Sequence, residues 1–238
     1  MIKLSKRLEA IVNFCDRGKI IADIGTDHGF VPNFLYEQDR TRKIIAADIS
    51  EKSLKKSLEF SKIRSNEKNI VHVISDGLKN IDGAENIIIA GMGGVLIADI
   101  LEKDLEKSKK AEKLILQPMQ QVEYLREYLY KKGFTIIDEK IVYEDKKYFQ
   151  IILSKYTGIK ETYNEIDLKI SKILRKKKDR ALKAFLENKL SYNNYILRNM
   201  DIKSLRSLKR RNEINEENKK YKEIIDELSN WKNCRIYG

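Results

Sequence analysis

Short apolar runs recur through the first 155 residues, each closed by an acid, a glycine or a proline and followed by residues at helical spacing. The runs at 20–24, 43–48, 69–74, 86–90 and 112–117 read as buried strands, the last ended by Pro118. Between them, 32–36, the stretch from Glu51, 95–101 and 121–132 read as helices, with Gly133 stopping the last. Leu8, Ile11 and Val12 give a further short amphipathic helix over 6–14. This alternation predicts an α/β domain with a parallel sheet covered on both faces. Residues 134–144 and 147–154 read instead as two strands joined at Asp145-Lys146, an antiparallel hairpin that closes the sheet.

The chemistry is expected at the strand ends. Ile20-Ile21-Ala22-Asp23-Ile24-Gly25-Thr26-Asp27-His28-Gly29 is a strand running into a glycine turn. A dinucleotide fingerprint counted from Gly25 would need glycine where Asp27 and Phe30 stand, which argues against a dehydrogenase. Asp48 ends the second strand, 23 residues after Gly25. A carboxylate at that offset can take both donors of a ribose diol. It, or Ser50, can equally cap the helix that follows. The third strand ends in Ser75-Asp76-Gly77, and the fourth enters the turn Ala90-Gly91-Met92-Gly93-Gly94.

The Asp23-x-Gly25 pair resembles the first motif of S-adenosylmethionine (SAM) methyltransferases. With Leu4-Ser5-Lys6-Arg7-Leu8, the Ala90–Gly94 turn and Leu114-Ile115-Leu116-Gln117-Pro118, the chain closely resembles the bacterial tRNA adenine-N1 methyltransferases of position 22, the TrmK family. The resemblance covers the first 155 residues well and the remainder loosely. It implies a Rossmann-like class I methyltransferase sheet, SAM as cofactor and tRNA as substrate. It further implies that Asp23 lies at the amino-acid end of the cofactor, Asp48 with Ile49 at the ribose, and Asp76 with Gly77 at the adenine. Ala90, Gly91, Met92 and Gly93 would then bring backbone close to the methyl group. Asp27 would hold the methionine ammonium or face the target base. His28 would bond either ligand or merely cap the next helix. Gln117 would offer a donor and an acceptor to a base edge. Arg7 would reach the cofactor carboxylate or a phosphate, or form an ordinary surface ion pair. Asp27, His28 and Gln117 are thus the candidate catalytic residues. A methyltransferase acting on another RNA, a protein or a small molecule is the nearest alternative. A non-catalytic RNA-binding protein on the same fold is a second.

Charge separates the two ends of the chain. Of a formal net charge of +12, residues 156–238 hold 21 basic against 12 acidic residues. The density peaks over 169–211, with 15 basic and three acidic residues, which favours a polyanion as partner. A boundary is expected at Tyr156-Thr157-Gly158, giving a methyltransferase domain over 1–155 and an RNA-contacting domain over 156–238. Ile166, Ile170, Ile173 and Leu174 form one apolar stripe there. Ala181, Leu182, Phe185, Leu186 and Leu190 form another, and Tyr221, Ile224, Ile225, Leu228 and Trp231 a third. Two or three helices folding back in a coiled-coil-like pair fit best, with the reversal between 199 and 215. Tyr192 and Tyr195 are expected in that core, with a base-stacking platform as the alternative. RNA would be gripped by the 169–211 region and the cofactor cleft. No run of 18 apolar residues exists, the first residues do not read as a signal peptide, and Cys15 and Cys234 are too few for a disulfide scaffold. His28 and His72 lack partners at ligand spacing, so no metal is expected. A cytoplasmic monomer is the resulting expectation.

Overall fold

The computed structural model describes residues 2–40 and 43–234, with 231–234 in backbone alone. Two compact units divide it, residues 1–169 and 170–238. In the first, α1 (Lys6–Val12) precedes β1 (Ile21–Ile24), α2 (Phe30–Gln38), β2 (Ile44–Asp48), α3 (Glu51–Ile63) and β3 (Ile70–Ile74). Then come β4 (Asn86–Gly93), α4 (Gly94–Lys103), α5 (Leu105–Lys110), β5 (Lys113–Gln120) and α6 (Val122–Lys132). A hairpin of β6 (Phe134–Glu144) and β7 (Lys147–Tyr156), followed by α7 (Glu165–Lys169), completes the unit. The described strands form a sheet in the order β3-β2-β1-β4-β5-β7-β6. The first five are parallel, and β7 joins β5 antiparallel.

The pattern explains the burial. Ile87, Ile88 and Ile89 on β4 are all buried, so both faces of this central strand are covered, as a parallel sheet requires. Ile88 packs with Ile11, Val12, Leu35 and Ile115 in one core cluster. The β6–β7 connection is the expected two-residue one, and Asp145 (φ 47°) and Lys146 (φ 61°) both take left-handed backbone. That is the twist-matched form of a tight hairpin turn. Gly133 ends α6 at φ 82°, also as expected.

Three expectations are corrected within this unit. Strand five does not stop at Pro118; β5 runs on to Gln120. Register shifts on either side of Met92 place Pro118 opposite it, and such an irregularity tolerates a residue with no N–H to give to the ladder. The compact unit also extends past Tyr156–Gly158 to Lys169. Fully buried Arg126 on α6 holds that tail, because its Nη1 donates to the Leu168 carbonyl at 2.6 Å. The stripe through Ile166 and Leu174 does not lie on one helix either. α7 ends at Lys169, and the Ser171 hydroxyl caps a new helix, α8 (Lys172–Lys176).

The second unit contains α8, α9 (Arg180–Asn199) and α10 (Leu205–Cys234), the chain reversing between Asn199 and Leu205. Leu182, Phe185 and Leu186 of α9 are buried, as are Ile214, Tyr221 and Ile224 of α10. Asn193 Nδ2 donates to Asn218 Oδ1 at 2.9 Å within the helix pair. Tyr192 and Tyr195 are not in this core: they are 63% and 65% exposed. The apolar spacing is satisfied by Leu182, Phe185 and Leu186, and the two tyrosines fall on the outer face. The side chains of Trp231 and Cys234 lie outside the described residues.

Arg126 Nη2 and Glu139 Oε2 form a fully buried ion pair at 2.7 Å, and Arg126 Nε donates to the other oxygen at 3.1 Å. Removing one partner strands the other charge. Glu139→Ala should cost about 3–5 kcal/mol in urea unfolding, whereas Arg126→Met with Glu139→Leu should cost much less. Equal losses in the single and double variants would show that packing, not charge, is what the site supplies.

Candidate active site

The carboxyl edge of the parallel strands gathers most of the expected residues. All of β1 is buried, including the Asp23 side chain. Burial pushes the Asp23 carboxyl up to about 6, the Thr26 hydroxyl opposes the rise and Asp48 adds to it. The chain then turns at Gly25 (φ 79°), with the N–H groups of Gly25 and Thr26 both donating to the Ala47 carbonyl, at 2.8 and 3.0 Å. A Cβ on Gly25 would stand 2.3 Å from Met92 Cε, so the first turn and the turn after β4 interlock there.

Asp48 braces the same turn. Its Oδ2 accepts from the Asp27 N–H at 3.4 Å and its Oδ1 from the Ser50 N–H at 2.8 Å. The cap of α3 is Ser50, whose hydroxyl accepts from the Ser53 N–H. Asp48 therefore shapes the loop without being the helix cap. Ile49 beside it is 67% exposed.

Asp27 has a left-handed backbone (φ 40°) and a half-exposed side chain. Lys56 Nζ lies 3.3 Å from one of its oxygens and His28 Nε2 3.3 Å from the other. His28 stacks on Phe30, with ring centroids 5.6 Å apart. It does not cap α2, whose N-cap is Gly29 with no side-chain bond. Asp76, beyond β3, is ion-paired with Lys103, and Gly77 after it is buried.

At the other side of the edge, Arg7 and Gln117 meet. Arg7 Nη1 donates to Gln117 Oε1 at 2.6 Å, and its guanidinium stands 5.4 Å from the Phe149 ring centroid. Glu144 Oε2 accepts from the Arg7 backbone N–H at 2.8 Å. Gln117 is fully buried, and its Nε2 donates to the Pro118 carbonyl at 2.8 Å. Both ends of its amide are engaged within the chain, the oxygen by Arg7 and the nitrogen by the Pro118 carbonyl. Among the described residues Arg7 forms no surface ion pair; a Cβ on Gly91 would be 3.9 Å from its Nη1, which places its head over the glycine turn.

Sequence reasoning missed the residues just past Gln117. Met119 is half-exposed and Gln120 exposed, and Gln120 pairs in register with Gly93. Reading β5 as ended at Pro118 hid them. Phe149 and Glu144 were also missed, since only the folded hairpin brings them to Arg7. Among the described residues, no group of three or more His, Cys, Asp or Glu side chains could hold a metal ion.

Residues 4–152 match the family model described as a methyltransferase domain. The chain is 37% identical over 172 residues to the tRNA (adenine(22)-N(1))-methyltransferase of Bacillus subtilis (strain 168), covering 70% of this chain and 71% of that one. The crystal structure of the B. subtilis m1A22 tRNA methyltransferase TrmK superposes with a TM-score of 0.81 at 28% identity, covering 94% of this chain and 100% of that one. M. capricolum TrmK, solved with S-adenosyl-homocysteine, gives a TM-score of 0.78 at 27% identity, over 93% and 99% of the two chains. With the strand order and the carboxyl-edge residues in place, the chain belongs to the TrmK family of tRNA (adenine-22, N1) methyltransferases.

Proposed function

We propose that this chain methylates N1 of adenine 22 in tRNA with SAM as the methyl donor. The observation that carries this is the match of sequence and fold to that family, on a chain that keeps Asp23, Gly25 and Asp48 together at one edge of the sheet. The residues fit the cofactor: a glycine at the first turn, a buried acid at β1, a second acid at β2 and the exposed Ile49 next to it. Asp23 would hold the amino-acid end, Asp48 the ribose, and Asp76 and Gly77 the adenine side. When bound, SAM supplies a methyl group on a sulfonium, which an adenine N1 lone pair can take in line as the carbon–sulfur electron pair returns to sulfur.

N1 needs no proton removed before it attacks, so the protein's task is alignment and exclusion of water. The base must leave its pair to present N1. Methylation leaves a cation on the base, and Asp27 is the half-exposed carboxylate on the first turn able to stabilise it. Lys56 and His28 hold that carboxylate in place. Gln117 acts through Arg7 as a positioning residue. The basic 169–211 region, carrying the exposed Tyr192 and Tyr195, is the surface we assign to the tRNA body.

Unmodified tRNA incubated with the purified chain and SAM should yield 1-methyladenosine at position 22 by nucleoside mass spectrometry. Asp27→Asn should lower the single-turnover rate about tenfold (roughly 1.4 kcal/mol) at saturating SAM and tRNA. Methylation of another nucleoside would reject the substrate assignment, and an unchanged rate in Asp27→Asn would remove Asp27 from the chemical step.

The buried acid gives a pH test. Asp23 moves from an ordinary 3.8 to about 6, so between those values the folded state holds an extra proton. Its contribution to stability therefore falls as pH rises through that window, and the cost is complete above about 6. Asp23→Asn should stabilise the free protein by up to about 3 kcal/mol near pH 8 and by little near pH 4. SAM affinity should fall in the same variant. The same urea-unfolding gain at both pH values would show that Asp23 is not the strained charge.

A further inference from the structure

The sheet order fixes where the acceptor base must lie. The cofactor elements end β3, β2 and β1 in sequence across the sheet, and β4 follows with the glycine turn. An in-line acceptor lies beyond the methyl group, hence over the next strand, β5. Of the polar groups at that end, Gln117 is buried and committed to Arg7. Gln120 and Gln121 are both exposed, and a Cβ on Gly93 would lie 3.8 Å from Gln121 Oε1, but only Gln120 pairs with Gly93 in the ladder.

The Gln120 amide stands directly beside the turn. A Cβ on Gly93 would come within 3.6 Å of its Nε2, and no side chain at Gly93 separates the two. The backbone carrying it is tightly held. Gln121 takes a left-handed conformation (φ 58°), and a Cβ on Gly94 would stand 2.2 Å from the Gln121 carbonyl oxygen. A non-glycine residue in that region persists only where its surroundings enforce it. Here α4 begins against the Gln121 carbonyl and leaves the loop no room to relax.

We infer that Gln120 is the residue that selects adenine, reading the base's N6 and N7 atoms with its side-chain amide while N1 faces the methyl donor. An adenine attacking through N1 still presents the N6 amine, a donor, and N7, an acceptor. A carboxamide matches both at once: Oε1 accepts from the amine and Nε2 donates to N7. Guanine presents two acceptors on the same edge, so one of them would meet Oε1 with no proton between. Met119, half-exposed next to Gln120, supplies an apolar surface for the ring. The inference rests on the adenine-N1 reading and adds the residue that enforces it.

The test pairs a protein change with an atom change in the substrate. Single-turnover rates are measured for wild-type chain and Gln120→Ala on tRNA carrying adenosine or 7-deazaadenosine at position 22. The deaza base lacks the N7 acceptor and keeps N1. Wild type should lose about tenfold on the deaza substrate, and Gln120→Ala about tenfold on ordinary tRNA. The two losses should not add, because the variant has already lost the contact to N7. SAM affinity should be unchanged in the variant, which separates base reading from damage to the cofactor site. A deaza penalty of the same size in Gln120→Ala and wild type would overturn the inference, as would an unchanged rate for Gln120→Ala on ordinary tRNA. If wild-type chain fails on ordinary tRNA, the adenine-N1 reading falls and this inference with it.

Discussion

Met92 occupies the space that any side chain on Gly25 would need, with its Cε 2.3 Å from where a Cβ would sit. The turn after β1 and the turn after β4 thereby pack against each other. Asp48 ties the first turn to β2 through the Asp27 N–H, and Gly94 ties the second to the end of β5 through the Gln121 carbonyl. Four adjacent strand ends thus meet along one edge. Methyl transfer demands such an edge, because it depends on alignment more than on a strong acid or base. A small displacement of either turn would separate donor from acceptor.

Electrostatics runs along the same edge and carries a stability cost. Asp23 is buried with Asp48 nearby, an arrangement that opposes ionisation and disfavours the folded state at neutral pH. An ammonium group on a ligand would relieve it. The buried Arg126–Glu139 pair works differently: each charge is met by the other, and Arg126 also holds the carbonyl of Leu168. One buried carboxylate has no opposite charge beside it among the described residues, and the other pairs with the guanidinium that fastens the end of the unit. The basic residues of 169–211 are the ones we propose for the tRNA, since solvated charge contributes little to stability and much to attraction of a polyanion.

Much of this was legible in the sequence because parallel strands leave strong signatures. The continuous apolar runs gave the order of strands, Asp145-Lys146 gave the hairpin and Gly133 the end of α6. The acids at 23 and 48 were legible for the same reason, as each stands at or near the end of a largely apolar run. Other features depended on tertiary placement. Pro118 breaks a ladder in general, and only its partner Met92, at a register shift, lets β5 continue to Gln120. Gln117 was read as facing a base because glutamine can do so; nothing local announces that Arg7, 110 positions away, takes its oxygen. Helical spacing placed Tyr192 and Tyr195 on a stripe but could not say that Leu182, Phe185 and Leu186 had already filled the contact. The domain boundary fell late because a guanidinium on α6 holds carbonyls that carry no sequence signal.

We propose that the donor lies across the ends of β3, β2 and β1, the acceptor at the end of β5, and the tRNA body on the basic helices. Amide hydrogen exchange of the full chain tests it most directly, with SAM and unmodified tRNA added separately. SAM should slow exchange at 23–29, 48–50 and 90–93 and leave 119–121 unchanged. Unmodified tRNA should slow exchange at 119–121 and within 169–211. Protection of 119–121 by SAM with none at 48–50, or tRNA protection that spares 169–211, would contradict this layout.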